Sequence, residues 1–176
     1  MLFHFRGHSE QGVRTAARLF GMASVLSGQR ANAWVPDHAY GIGDGVSAFV
    51  KVEREEFFER GPAEPEDADF TVIFEPSFLD PKTLREGSAL IINTTEKPRN
   101  PQLKKRKIRI FAVDASEHVF GGKRVFPNLF LLGFLSSVFK KVQLKALKQA
   151  VVEEFSPAEE KMQELDAGFK MKPKIR

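Results

Sequence analysis

The chain contains no cysteine. It therefore has no disulfides, no thiolate metal site and no iron–sulfur ligands of its own. Tryptophan and tyrosine occur once each, as Trp34 and Tyr40. No apolar run reaches the roughly 20 residues of a membrane span. The longest, VFPNLFLLGFLSSVF from Val125 to Phe139, is broken by Pro127, Asn128 and Gly133 and reads as a buried helix start. The opening MLFHFRGHSE is too short and too soon charged for a secretory signal. The G-x-G-x-x-G fingerprint of dinucleotide binding is missing, as are a nucleophile elbow and a Ser–His–Asp order. The four histidines, His4, His8, His38 and His118, lack metal-ligand spacing, so no metal site and no catalytic residue is expected. There is no internal repeat. The balance of 27 basic and 23 acidic residues, +4, does not by itself imply nucleic acid.

Phenylalanine, by contrast, is abundant, with 17 copies in 176 residues. The length suits one domain, and so many rings suggest either a thick core or apolar surface meant for a partner.

Patterning outlines the fold. Leu2 to Phe5 reads as a strand. Gln11 to Leu26 has helical spacing at Val13, Ala16, Ala17, Phe20 and Ser24, with Gly28 as its stop. Ala31 to Val35 and the alternating VSAFVKVE, Val46 to Glu53, read as strands on either side of the glycine-rich loop AYGIGDG. Glu53 to Asp69 is acidic, carries Pro62 and Pro65, and is expected to be an exposed connection. FTVIFEP, Phe70 to Pro76, and ALIINT, Ala89 to Thr94, are the continuous apolar runs of strands buried on both faces. Pro81 to Glu86 has room for one or two helical turns. KIRIFAVDA, Lys107 to Ala115, reads as the last strand. Helices are expected over Asn128 to Lys140, Gln143 to Phe155 and Pro157 to Ala167, with Gly168 ending the last. Strands separated by crossovers predict a three-layer α/β/α domain over residues 1–169. Its sheet should be mostly parallel, or mixed around AYGIGDG, and residues 170–176 should form a basic tail.

Two glycine-rich stretches are candidate sites. The turn Gly7 to Gly12 stands between a strand and a helix N-terminus, where free N–H groups and the helix dipole favour anions. Ser9 can instead cap the helix, and Glu10 in its first turn already supplies negative charge. A self-capped turn packed on a neighbour and a ligand contact both stay open. AYGIGDG either bends close to a cofactor or is a plain turn. Asp37 and Asp114 lie at expected strand ends, where sites of parallel sheets gather. KPRNPQLKKRKIR, Lys97 to Arg109, is the strongest charge cluster. It reads as a solvated loop or a contact with an acidic partner, since it lacks interleaved aromatics.

The order of these motifs resembles the gamma subunit of the 2-oxoacid:ferredoxin oxidoreductases, equivalent to the third domain of single-chain pyruvate:ferredoxin oxidoreductase. GHSEQGVRTAARLF matches the family's G-x-G-G-Q-G-V turn and alanine-rich helix through Gly7, Gln11, Gly12 and Val13. WVPDHAYGIGDGVSAFVKV, DFTVIFEPSFLD, FPNLFLLGFLSSVF, LKALKQAVVEEF and EEKMQELDAGF follow in the family's order, from Phe3 to about Phe169. Ser9 and Glu10 stand where the family has its two central glycines, and the second loop is about three residues shorter than the family's, without its arginines.

The resemblance implies a non-cluster subunit of a complex that oxidatively decarboxylates a 2-oxoacid, usually to an acyl-CoA. The expected partners are alpha, beta and delta-type subunits, and ferredoxin or another acceptor reached through the complex. Thiamine diphosphate, Mg and iron–sulfur clusters would sit on those partners, with coenzyme A at the interface. Gly7, Ser9, Glu10, Gln11, Gly12, Tyr40, Gly41 and Gly43 become the expected cofactor-facing residues. No nucleic acid, no membrane span, a cytoplasmic location and no activity of the isolated chain go with this reading. Phe57 and Phe58, or part of the C-terminal region, are expected to be buried against other subunits, with FPNLFLLGFL as a motive. A stand-alone small α/β nucleotide- or CoA-binding module is the alternative.

Overall fold

The computed structural model describes residues 1–36, 45–54, 63–115, 119–120, 123–124 and 127–172. Its centre is a six-stranded sheet: β1 Leu2–Gly7, β2 Arg30–Trp34, β3 Val46–Glu53, β4 Phe70–Ile73, β5 Ala89–Asn93 and β6 Arg109–Val113. The strand order is β2-β3-β1-β4-β5-β6. β1, β4, β5 and β6 run parallel, while β3 is antiparallel to both β1 and β2. The sheet is thus mixed around the glycine-rich loop and parallel elsewhere.

The helices α1 Val13–Leu26, α3 Pro127–Val138, α4 Leu144–Glu154 and α5 Glu159–Lys170 bury one face of the sheet. The alternation of β1 decides which residues meet them. Phe3 and Phe5 point into the helical layer beside Phe20, and Phe3 also meets Phe70 and Phe139 with ring centroids about 5 Å apart. The described phenylalanines therefore serve chiefly as core. The opposite face has a thinner cover. There α2, Pro101–Lys105, and short 3-10 turns at Pro76–Phe78 and Pro81–Thr83 close a small cluster of Ile73, Leu84, Leu90, Ile92, Leu103 and Ala112.

Several expectations need correction. The first helix does not start at Gln11: Ser9–Gln11 form a 3-10 turn, and Gly12 at φ 73° breaks it from α1. Within Lys97 to Arg109, expected as loop, Asn100 caps α2 by accepting from the Gln102 N–H at 2.9 Å, and Pro101 presets its first turn. A two-residue ribbon, β7 Val119–Phe120 with β8 Lys123–Arg124, follows the expected last strand. Gly168 does not end the last helix, which runs on to Lys170. It lies inside the α3–α5 crossing, where a side chain on Gly168 would strike the Phe130 carbonyl and one on Gly133 the Leu165 carbonyl. The missing side chains let the two backbones touch. Leu129 to Leu135 are buried within the chain, so that part of FPNLFLLGFL is core and not surface offered to other subunits. Phe57 and Phe58 lie outside the described residues.

Candidate functional site

The carboxyl ends of β1, β4, β5 and β6 lie side by side, and the chain's polar groups collect there. This is the edge where open parallel sheets hold ligands. β1 delivers Gly7 and His8. The chain leaving β4 delivers Glu75, Ser77 and Phe78. β5 ends at Asn93 and β6 at the buried Asp114.

These ends are tied together by side chains. The Asn93 amide donates to the Phe74 carbonyl at 3.0 Å, and its oxygen accepts from the Ala115 N–H at 2.9 Å. The Gln11 amide oxygen accepts from the His8 N–H at 2.8 Å, and its NH2 donates to the Glu75 carboxylate at 3.3 Å. His8 Nε2 also faces Glu75, at 3.3 Å. Ser77 donates its hydroxyl to the other Glu75 oxygen at 3.0 Å. Below them, Phe78 meets the His8 ring edge-on with centroids 4.7 Å apart, and the Arg6 guanidinium lies 5.8 Å from its centre.

The turn itself is shaped by what it packs on. Gly12 needs its left-handed conformation, and its α-carbon lies against the Asn128 side chain at the start of α3. Gly45, the last residue of AYGIGDG, would meet Phe78 and the Gly7 carbonyl if it carried a side chain. That loop therefore re-enters the sheet beside the turn, through the pairing of Val46 with Gly7.

Five of the eight expected site residues, Gly7, Ser9, Glu10, Gln11 and Gly12, form one continuous turn on this edge. Ser9 does not cap α1. Ser9 and Glu10 sit exposed within the 3-10 turn, and Gly12 occupies the N-cap position. Glu10 accordingly precedes the first turn of α1 instead of belonging to it. Tyr40, Gly41 and Gly43 lie outside the described residues, as do Asp37, His38 and His118. Among the described residues no group of three His, Asp or Glu is placed to hold a metal ion.

Glu75, Phe78, Asn93 and Asn128 were not expected in the site. FTVIFEP and ALIINT held the signal for two of them. A polar residue that closes a continuous apolar strand marks its carboxyl end, and Glu75 and Asn93 do so. Asn128 joins from a helix remote in sequence, and no local pattern marks that.

A groove of about 390 Å³ lies between α1 and the edge strand β2, lined by Arg14, Arg18 and Trp34. Arg18 also pairs with Glu154. Another cavity, of about 320 Å³, is lined by Met1, Phe139 and Lys141. On the thinly covered face, His4 stacks on Phe49 with centroids 4.6 Å apart, and its Nε2 lies 3.0 Å from the Ser47 hydroxyl. Burial, with help from Arg6, pushes the His4 pKa down to about 3.

A mixed α/β domain that presents a glycine turn and a polar rim at the carboxyl ends of its parallel strands defines a class of subunit built around that edge. The chain belongs to the pyruvate ferredoxin/flavodoxin oxidoreductase family, whose family model matches residues 3–171. It is similar to the pyruvate oxidoreductase subunit PORC of Thermotoga maritima, at 25% identity and a TM-score of 0.74, covering 97% of this chain and 93% of that one. It shares its fold with the keto/oxoacid ferredoxin oxidoreductase gamma subunit of Geobacter sulfurreducens, at 17% identity and a TM-score of 0.75 over 96% of each chain. It also matches the 2-oxoglutarate:ferredoxin oxidoreductase of Magnetococcus marinus, a structure with 2-oxoglutarate, coenzyme A and succinyl-CoA bound. There the TM-score is 0.80 at 14% identity, and the match covers 96% of this chain but 30% of that one. No curated protein sequence matches significantly. The chain is thus a member of this oxidoreductase family with the fold of a gamma subunit. No helix among the described residues is long and apolar enough to cross a membrane.

Proposed function

We propose that this gamma-type subunit works in the cytoplasm within a thiamine diphosphate-dependent complex, beside alpha, beta and delta-type subunits, and has no turnover alone. The observation that carries this reading is the family match over residues 3–171, together with a turn of the family's pattern on the ligand-holding edge of the sheet. A chain without cysteine has no thiolates for a cluster, so the reading puts the iron–sulfur clusters, thiamine diphosphate and Mg on the partners. Bound there, thiamine diphosphate would supply the decarboxylation chemistry and the clusters a path for electrons to ferredoxin or another acceptor. This chain contributes the wall formed by Gly7, Ser9, Glu10, Gln11 and Gly12, against which coenzyme A binds.

The chemistry of the turn suits a wall better than a phosphate cradle. The Gln11 side chain is bonded at both ends within the chain, and the exposed Glu10 would repel a phosphate brought close. Purification from the source should bring larger, cluster-containing subunits with the chain, and only the assembly should oxidise a 2-oxoacid. Full activity of the isolated chain would overturn the reading. Stoichiometric binding of coenzyme A to the isolated monomer in calorimetry would favour a stand-alone binding module instead.

A further inference from the structure

We propose that Glu75 is a positioning residue for the acyl acceptor, holding the His8 ring and the Gln11 amide in the one arrangement that lets the Gly7–Gly12 turn close against coenzyme A. This rests on the reading of the turn as part of the coenzyme A wall. Glu75 belongs to a different segment from the turn. It sits 64 residues beyond Gln11 yet is the only group among the described residues that the structure joins to both His8 and Gln11.

Its two oxygens divide the work. One accepts from the Ser77 hydroxyl at 3.0 Å, which orients the carboxylate. The other meets Gln11 Nε2 and His8 Nε2, both at 3.3 Å. Gln11 then returns to the His8 N–H at 2.8 Å, so the two turn residues are locked to each other and to the chain after β4. Phe78, three residues past Glu75, supports the His8 ring from its edge and fills the space beside Gly45, where the second glycine-rich loop returns. The carboxylate thereby ties the turn to the chain after β4, and Phe78 from that same chain brings in the start of β3. About two-fifths of the Glu75 side chain and slightly more of His8 remain open to the rim, so a bound molecule can meet them.

The arrangement separates two losses. Removing Glu75 frees the turn without touching the core, because His8, Gln11 and Glu75 are all only partly buried. Glu75→Gln keeps an oxygen for Gln11, turns an NH2 towards the Ser77 hydroxyl, which can accept from it, and loses the charge. In the assembled complex, Glu75→Ala should raise the apparent KM for coenzyme A by about tenfold, as expected when a positioning contact is lost. Glu75→Gln should fall between it and the parent enzyme. The kcat and the KM for the 2-oxoacid should stay within about twofold and subunit composition should match the parent enzyme, with a loss of thermal stability no larger than that expected for Gln11→Ala. An unchanged KM for coenzyme A in Glu75→Ala overturns the proposal. So does an equal rise in both KM values, or a Glu75→Gln enzyme as impaired as Glu75→Ala. Full turnover of the parent complex without coenzyme A would instead remove the reading beneath it, and the proposal with it.

Discussion

Gln11 and Glu75 meet at 3.3 Å although one leads into the first helix and the other follows the fourth strand. The same glutamine oxygen accepts from the His8 N–H, so the side chain acts as a strut across the turn. Gln11→Ala leaves that N–H and one Glu75 oxygen to water. Because the site is partly exposed, the loss should be about 1 kcal/mol of stability. Urea unfolding of the isolated chain measures it, and the same variant in the complex should mimic the coenzyme A defect expected of Glu75→Ala.

Ser9 and Glu10 occupy the outside of that strut. They take no part in the core and do not cap α1, so replacing both by glycine should leave assembly intact. Removing the carboxylate beside a helix N-terminus is worth about 0.3–1 kcal/mol to an approaching anion. The apparent KM for coenzyme A should therefore fall by roughly two- to fivefold. An unchanged or higher constant in steady-state kinetics would show that Glu10 meets no anion there.

The helical scaffold makes a sharper prediction. Gly133 and Gly168 each lie against a main-chain carbonyl of the facing helix. Alanine at either position forces α3 and α5 apart and should cost at least about 1–3 kcal/mol, the usual range for overpacking. Both variants together should lose less than the sum of the single losses, since one separation of the helices relieves both clashes. Thermal unfolding of the two single variants and the double variant tests this.

How much of this was legible in the sequence depends on the range of the interaction. Strands and helices announce themselves through local periodicity, and Phe3, Phe70 and Ile91 are buried as their patterns require. The parallel and antiparallel pairings were only partly legible, because strand order is decided by contacts far apart in the chain. The boundary between turn and helix failed at Gly12, whose backbone conformation answers to Asn128, 116 residues away. Gly168 looked like a helix stop and is a crossing point, since a glycine marks either a chain end or a close approach and only the packing partner decides. The turn was found by its glycines. Glu75 was not, because a lone glutamate at the end of a strand has no meaning until Gln11 and His8 stand opposite it.

The last prediction concerns two groups whose titrations oppose one another. His4 is buried in the sheet, stacked on Phe49, and its Nδ1 has no hydrogen bond among the described residues. Burial lowers its pKa from 6.5 to about 3. Between those values the unfolded chain binds a proton that the folded chain refuses, so stability falls as pH falls, by about 1.4 kcal/mol per unit at most. Glu164 on α5 is half-buried with one oxygen unpartnered. Burial raises its pKa from 4.5 to about 7, Lys161 working against the shift and Glu160 with it. There the folded state holds the proton longer, so stability falls as pH rises from 4.5 to 7, by less than the full linkage value because solvent screens the group. The two windows overlap from about 4.5 to 6.5, where the slopes partly cancel. Denaturant unfolding across pH should therefore give stability that rises steeply from about pH 3 to 4.5, more gently to 6.5, and declines slightly towards 7. His4→Phe, which keeps an aromatic ring on Phe49, should flatten the acid limb alone. Glu164→Gln should remove the decline near neutrality and steepen the slope between 4.5 and 6.5. An acid limb that survives in His4→Phe would place the proton uptake on another group.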